Sequence, residues 1–102
     1  MRMLMRVQME VEAANRAIKD GSFAQTMDDV MRELQPEAVY FTAQDGKRTG
    51  FIVFDLKEPS DIPAAAEPFF MGVKAKIDMS PVMTAEDVQA GLQKASKAFA
   101  AA

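Results

Sequence analysis

Residues 39–56 constrain the fold more than any other part of the chain. They contain two runs of β-branched and aromatic residues, 39–43 and 49–56, which flank the polar segment 44–48. That segment includes Asp45-Gly46, and Asp-Gly between β-rich runs is the strongest short-range signal for a β-hairpin. We therefore expect two antiparallel strands here, with the other elements arranged around them.

Two further stretches alternate between apolar and polar residues, which is typical of half-buried strands. In residues 1–9, one side carries Met1, Met3, Met5, Val7 and Met9, and the other carries Arg2, Leu4, Arg6 and Gln8. In residues 72–79, Val73, Ala75, Ile77 and Met79 alternate with Lys74, Lys76 and Asp78, and Ser80-Pro81 closes the run. The sequence thus predicts four strands.

Helical patterns separate these strands. A first segment, with Val11, Ala14 and Ile18 on one face, ends at Asp20-Gly21, and a second begins with Ser22 as N-cap and Gln25 completing a capping box. The second segment carries an apolar stripe of Phe23, Met27, Val30, Met31 and Leu34, and Pro36 ends it. The crossover is therefore predicted to be a helix broken near Gly21.

After the hairpin, Ser60 is the predicted cap of another helix, whose buried face is Ile62, Ala65, Ala66, Phe69 and Phe70. Pro68 disfavours helical geometry at Glu67, so we expect a kink or an early end there. Thr84 with Asp87 opens the last helix as a capping box. Its apolar seam is Ala85, Val88, Leu92, Ala95 and Phe99; we expect it to pack on its own domain, with a partner helix as the alternative.

The order β-α-β-β-α-β plus a terminal helix predicts one α+β domain over residues 1–102, with a ferredoxin-like fold. Its antiparallel sheet carries helices on one face. That covered face holds Met3, Met5, Val7, Val39, Phe41, Ile52, Phe54, Leu56, Val73, Ala75 and Ile77. The open face then holds Arg2, Leu4, Arg6, Gln8, Tyr40, Thr42, Phe51, Val53, Asp55, Lys74, Lys76 and Asp78.

The open face combines apolar with charged residues. Leu4, Phe51 and Val53 are too apolar to form a contiguous patch in water, while Arg6 and Asp55 need partners if they are buried. A second sheet packed against this face, with a polar cavity between the two, satisfies both requirements. We therefore expect a homodimer or a larger homo-oligomer.

Composition excludes several chemistries. The chain has no Cys and no His, which removes thiolate and imidazole nucleophiles, bases and metal ligands, and we expect no cofactor and no metal. A net charge of -3 argues against nucleic acid as a partner. The charged residues near the amino terminus fit neither a signal peptide nor a membrane span, so a cytoplasmic protein without a membrane partner is expected.

Four strings carry a resemblance to known proteins: residues 36–41, 46–49, 67–70, and 80–83 with Glu86-Asp87. They resemble a group of short uncharacterised bacterial proteins, and the topology and open face resemble the dimeric α+β barrel proteins. That class includes cofactor-independent monooxygenases, isomerases, haem enzymes and ligand-sensing domains. The histidines used by its catalytic and haem-binding members have no counterpart here, so the resemblance implies a fold rather than a reaction.

The candidate site residues each have a structural alternative. Arg6, Tyr40, Asp55 and Asp78 are the candidates for catalysis, and the alternative is an Arg–Asp pair within a dimer interface. Lys74 and Lys76 are candidates for binding a small acidic ligand, or they protect an edge strand. Glu67 and Phe69 are candidates for a pocket mouth, or Phe69 belongs to the core.

An RNA recognition motif has the same element order, and residues 50–54 with Lys47 match part of its β3 signature. However, Thr49 occupies the position of the second stacking aromatic, and the first strand has none. We therefore expect no nucleic-acid binding. The leading functional hypothesis is non-catalytic small-ligand binding or assembly by a homodimer; the alternative is a cofactor-independent isomerase or monooxygenase acting in the inter-sheet cavity.

Overall fold

The computed structural model describes residues 1–100 of the chain. The strands are β1 (Arg2–Gln8), β2 (Ala38–Gln44), β3 (Lys47–Asp55) and β4 (Lys76–Pro81). The helices are α1 (Val11–Asp20), α2 (Ser22–Leu34), α3 (Ile62–Val73), α4 (Ala85–Lys94) and α5 (Ser96–Ala100), and a short 3-10 turn at Pro59–Asp61 precedes α3. No helix within residues 1–100 is both long enough and apolar enough to cross a membrane.

The four strands form one antiparallel sheet in the order β2-β3-β1-β4, which confirms the predicted ferredoxin-like α+β fold. β1 lies inside the sheet, where it pairs with β3 on one side and β4 on the other. Helices α1, α2 and α3 supply buried residues to a single core beneath one face of this sheet. The other face is not covered by them.

Strand register separates the two faces largely as predicted. Met3, Met5 and Val7 of β1 are buried, and Met3 and Met5 stand opposite the buried Phe54 and Ile52 of β3. Phe41 departs from the prediction because its side chain is 54% exposed. It lies at the edge of the sheet over Gly50, where an added Cβ would come within 3.1 Å of the Phe41 ring.

The hairpin prediction is confirmed. Asp45 and Gly46 form a two-residue turn between β2 and β3, with φ angles of 55° and 73°. Positive φ at both central positions defines the type I′ geometry that suits the twist of the flanking strands. Asp tolerates this conformation and Gly adopts it without a steric penalty, which explains why this dipeptide stands at the turn.

Two predicted helix caps are wrong, and the early end predicted at Pro68 does not occur. Gly21, with φ of 84°, caps α2, so Ser22 already lies inside the helix. A capping box of Glu58 and Asp61 precedes α3 in place of Ser60. Helix α3 also continues past Pro68 to Val73, because its buried face continues beyond the proline and Ala64, whose carbonyl loses its donor, is exposed and can be hydrated.

The longer α3 displaces the start of β4, which begins at Lys76 rather than at residue 72. Val73 is buried as the last residue of the helix, and Lys74 ends the helix in the left-handed conformation with φ of 47°.

The buried faces of α1 and α3 also differ from the prediction. In α1 the buried residues are Ala13, Ala14 and Ala17, whereas Val11, Ile18, Ile62 and Phe70 are all at least 39% exposed.

The last helix does not pack on its own domain, which contradicts the prediction. Its capping box is confirmed, since the Asp87 N–H donates to Thr84 Oγ1 at 3.1 Å and the Thr84 N–H donates to Asp87 Oδ2 at 3.0 Å. However, every residue from 85 to 100 is exposed, and the helix is interrupted at Ala95 between α4 and α5. We call residues 84–100 the C-terminal arm.

Because Phe54 is 1% exposed and packs at the centre of the core, Phe54→Ala should lower the free energy of unfolding by about 3–5 kcal/mol. The matched control is Met71→Ala on the outer surface of α3, where the side chain is 82% exposed and a change within about 0.5 kcal/mol is expected. Urea denaturation followed by circular dichroism measures both. Equal effects of the two substitutions would contradict this description of the core.

Candidate functional site

A polar cluster covers one end of the open face because the β2–β3 turn folds over it. Arg6 Nε donates to Gln44 Oε1 at 3.2 Å, and the Arg6 guanidinium lies 3.6 Å from Asp45 Oδ2 and 3.7 Å from Asp78 Oδ2. Gln8 Nε2 donates to the Gln44 carbonyl and to Asp45 Oδ2, each at 3.2 Å. We call Arg6, Gln8, Gln44, Asp45 and Asp78 the Arg6 cluster.

The cluster is partly shielded from water. Gln8 is only 7% exposed, and the Arg6 side chain is 25% exposed. Thr49, which stands opposite Gln8, is fully buried and donates its hydroxyl to the Lys47 carbonyl at 3.2 Å. Gln8 and Arg6 are therefore shielded beneath the hairpin end, on a sheet face that no helix of α1 to α3 covers, whereas Gln44, Asp45 and Asp78 remain exposed.

Apolar residues continue from this cluster along the same face. Tyr40, Phe51, Arg6 and Asp78 form one row across the four strands, because Phe51 stands opposite both Tyr40 and Arg6, and Arg6 stands opposite Asp78. Leu4 and Val53 form the next row. Phe51, Leu4 and Val53 are half-buried within the isolated chain, and Tyr40 is 69% exposed.

The guanidinium of Arg6 keeps hydrogen-bonding capacity. Its two terminal nitrogens face carboxylates at 3.6 and 3.7 Å, which is ion-pair distance but too long for a hydrogen bond. Arg presents five N–H donors in a planar fork that matches a carboxylate or phosphate. The geometry therefore leaves donors of Arg6 for an additional acceptor beside the Phe51 ring.

Asp55 does not pair with Arg6 within the protomer. It stands opposite Arg2, four residues along β3 from Phe51, which corresponds to roughly 13 Å. Its Oδ1 instead accepts a hydrogen bond from the amino group of Met1 at 2.6 Å, and this contact holds the pKa of the Asp55 carboxyl below its usual value. Both partners are exposed, so no buried charge pair exists there.

The remaining candidate residues are distributed over the molecule. Lys76 lies on β4 opposite Gln8, next to the Arg6 cluster, whereas Lys74 lies outside the strand at the end of α3. Glu67 is exposed on α3, and Phe69 is 1% exposed in the core and cannot line an open pocket mouth. The structure thus brings together Arg6, Tyr40, Asp78 and Lys76 on the open face, and it separates the other four from them.

Sequence reasoning missed the contribution of the turn to this site. The residue types of Gln44 and Asp45 indicate only a turn, yet both residues contact β1 side chains. The right-handed twist that a type I′ turn shares with its strands brings the hairpin end over the sheet. The sequence feature that could have indicated these contacts is Gln8, a polar residue between apolar neighbours on a central strand. A buried Gln side chain needs hydrogen-bond partners.

A cleft lies apart from the Arg6 cluster, between the end of α2 and the start of α3. Its volume is 220 Å³, and its polar lining includes Glu33, Asp55, Lys57 and Asp61. Within residues 1–100, no group of three or more Asp or Glu side chains has the geometry to hold a metal ion. The cleft is therefore a surface depression with mixed charges rather than a cation site.

Fold and site together describe a small α+β protein of the ferredoxin-like class, with an amphiphilic open sheet face. Residues 1–96 match the family described as Domain of unknown function (DUF3303), and the chain belongs to this family. That description assigns no activity, which agrees with the expected likeness to short uncharacterised proteins. No curated protein matches the chain.

Arg6→Lys should lower the free energy of unfolding by about 1 kcal/mol, because the ammonium cannot reproduce the Nε–H bond to Gln44 while also facing both carboxylates. Arg16→Lys on the exposed surface of α1 is the matched control and should change little. Chemical denaturation measures the difference. An unchanged stability in Arg6→Lys would show that the cluster does not hold the hairpin end in place.

Proposed function

We propose that this protein is a non-catalytic, homodimeric ligand-binding domain whose two open sheet faces enclose a small acidic molecule. The observation that carries the proposal is the half-buried strip of Leu4, Phe51 and Val53 next to a shielded Arg6 with unused donors. The strip favours contact with another surface, and Arg6 favours a polar space within that contact.

A second copy of the chain is the simplest cover for this face. Two identical sheets related by a two-fold axis place the same strip against itself, so a single set of residues provides both sides of the contact. The Arg6 clusters then lie between the sheets, where lower water content strengthens their charge interactions. The arrangement agrees with the dimeric α+β barrel class that the sequence resembles.

The ligand class follows from the neighbours of Arg6. Arg6 and Lys76 provide the positive charge, and the guanidinium fork fits a carboxylate. Phe51 and Tyr40 lie beside Arg6 on the same row and provide an aromatic wall. Asp45 and Asp78 offset the charge of the two cations, so an inorganic anion alone gains little. We therefore propose a small aromatic carboxylate as the ligand type.

Catalysis remains the alternative, with a reduced set of residues. Asp78 and Tyr40 stay on the row of Arg6 and are the remaining candidates for proton transfer, whereas Asp55 lies at the far end of the face. No acid or base of this row has a carboxyl buried from solvent, since the Asp78 side chain is 68% exposed in the protomer. Ligand binding therefore has the stronger support.

Val53→Glu should convert the dimer to a monomer, because it places two carboxylates in an apolar contact between the sheets. Ile18→Glu is the matched control. It also replaces an accessible aliphatic side chain with a carboxylate, but Ile18 lies on α1, away from the open face. Light scattering coupled to size-exclusion chromatography measures the mass of each. A monomeric wild-type protein at micromolar concentration would contradict the proposal.

Phenylacetate should raise the melting temperature of the wild-type dimer, whereas acetate at the same concentration should not, because only the former can also pack against Phe51 and Tyr40. Arg6→Gln removes the charge that holds the carboxylate and should abolish the shift. Differential scanning fluorimetry measures it, with Arg48→Gln on β3 as the control substitution. A shift that persists in Arg6→Gln would place the binding elsewhere.

A further inference from the structure

Strand β2 forms an edge of the sheet without the usual protection of edge strands. Its seven residues, Ala38–Gln44, include no charged residue and no proline. Tyr40 is 69% exposed and Phe41 is 54% exposed, so both aromatic rings remain accessible along the edge. Natural proteins block such edges with Lys, Pro, bulges or a covering element; the opposite edge, β4, carries Lys76, Asp78 and Pro81.

The C-terminal arm exposes apolar side chains that its own protomer does not cover. Its apolar stripe consists of Val88 and Leu92, four residues apart on α4, together with Phe99 on α5, and these side chains are 41%, 53% and 61% exposed. Isolated helices shorter than about 12–15 residues are marginal in water, and most helical stability comes from packing an apolar face. Helix α4 has 10 residues, so the arm requires a surface on which to pack.

The size of the uncovered surface fits a dimer contact. The chain exposes 6948 Å², whereas a compact protein of this mass exposes about 5,700 Å². The excess of roughly 1,200 Å² exceeds the ~800 Å² per partner of a standard interface. The radius of gyration is 16.9 Å against about 13 Å expected for a compact chain of this length, which reflects the extended arm.

We propose that the C-terminal arm of each protomer packs its stripe against the β2 edge of a second copy of the chain. Both surfaces are uncharged, and neither is covered within its own protomer. Exchange of two arms buries both edges, and it closes the assembly at two copies. The inference rests on the proposed homodimer and adds the residues that lock it.

The point where the arm leaves the domain supports this exchange. The Val82 N–H donates to the Arg2 carbonyl at 3.1 Å, so the chain leaves β4 beside the first residue of β1. Arg2 lies on the open face. Hydrogen bonds with Thr84 hold the pKa of Asp87, in the first turn of α4, below its usual value, and the nearby charge of Arg2 lowers it further. The arm therefore starts at the rim of the surface through which the proposed dimer forms.

Leu92→Glu tests the stripe, and Ala90→Glu on the opposite side of α4 is the matched control. Leu92→Glu should weaken dimerisation at least about tenfold, because each dimer loses two apolar contacts and gains two charges. Ala90→Glu should leave the dissociation constant unchanged. Analytical ultracentrifugation measures both, and circular dichroism checks that each variant keeps its fold. An unchanged dissociation constant in Leu92→Glu would overturn the exchange.

Cross-linking identifies the contacting surface. The chain has no cysteine, so each introduced thiol is unique. A protomer with Leu92→Cys, mixed with a tagged protomer carrying Tyr40→Cys, should give a cross-linked pair of unequal masses with a short bismaleimide. Ala90→Cys replaces Leu92→Cys in the control mixture and should react much less. Equal yields in the two mixtures, or pairs formed only between two Leu92→Cys protomers, would overturn the exchange.

The two proposals fail in different ways. A wild-type monomer, or a dimer that survives Val53→Glu, contradicts the open-face dimer on which the exchange rests. A dimer that is lost in Val53→Glu but unchanged in Leu92→Glu overturns the exchange alone. Loss of the dimer in both variants, with the unequal cross-linked pair, supports both proposals.

Discussion

The pairing of β1 with two neighbours at once is the constraint on which the rest of the molecule depends. Its residues alternate strictly, so the register that places Met3, Met5 and Val7 under the helices also places Leu4 and Arg6 on the open face. A shift of one residue would exchange the two sets and bury charge. The strand register that forms the core therefore also determines which residues form the candidate site.

The hairpin and the two faces could be predicted because their signals are local. Asp45-Gly46 determines the turn, and an alternation of period two determines which β1 side chains share a face. The helix boundaries were harder to predict, because caps compete over short distances. Gly21 caps α2 through its left-handed conformation, and Glu58 and Asp61, which lie on either side of the expected cap Ser60, form the capping box before α3. Such competition depends on geometry that the residue types alone do not determine.

The site could be predicted only in part, because its partners come from the twist of the hairpin. The alternation of β1 places Arg6 on the open face, but residue type alone does not show which carboxylates lie within reach of its guanidinium. In the structure the turn supplies Gln44 and Asp45, and β4 supplies Asp78. The packing of the last helix could not be predicted for a related reason. A narrow apolar seam has the same sequence pattern whether the surface it packs on belongs to the same chain or to another.

A site that lies between two protomers links ligand affinity to protein concentration. If the acidic ligand contacts Arg6 clusters from both sheets, the monomer binds it weakly, and the ligand in turn shifts the equilibrium towards the dimer. In the proposed exchange, the arms would act on the same equilibrium by adding apolar contact at the β2 edge. The open face and the unprotected β2 edge have a common structural origin, because α1 to α3 cover only one face of the sheet and β2 pairs with a strand on one side only.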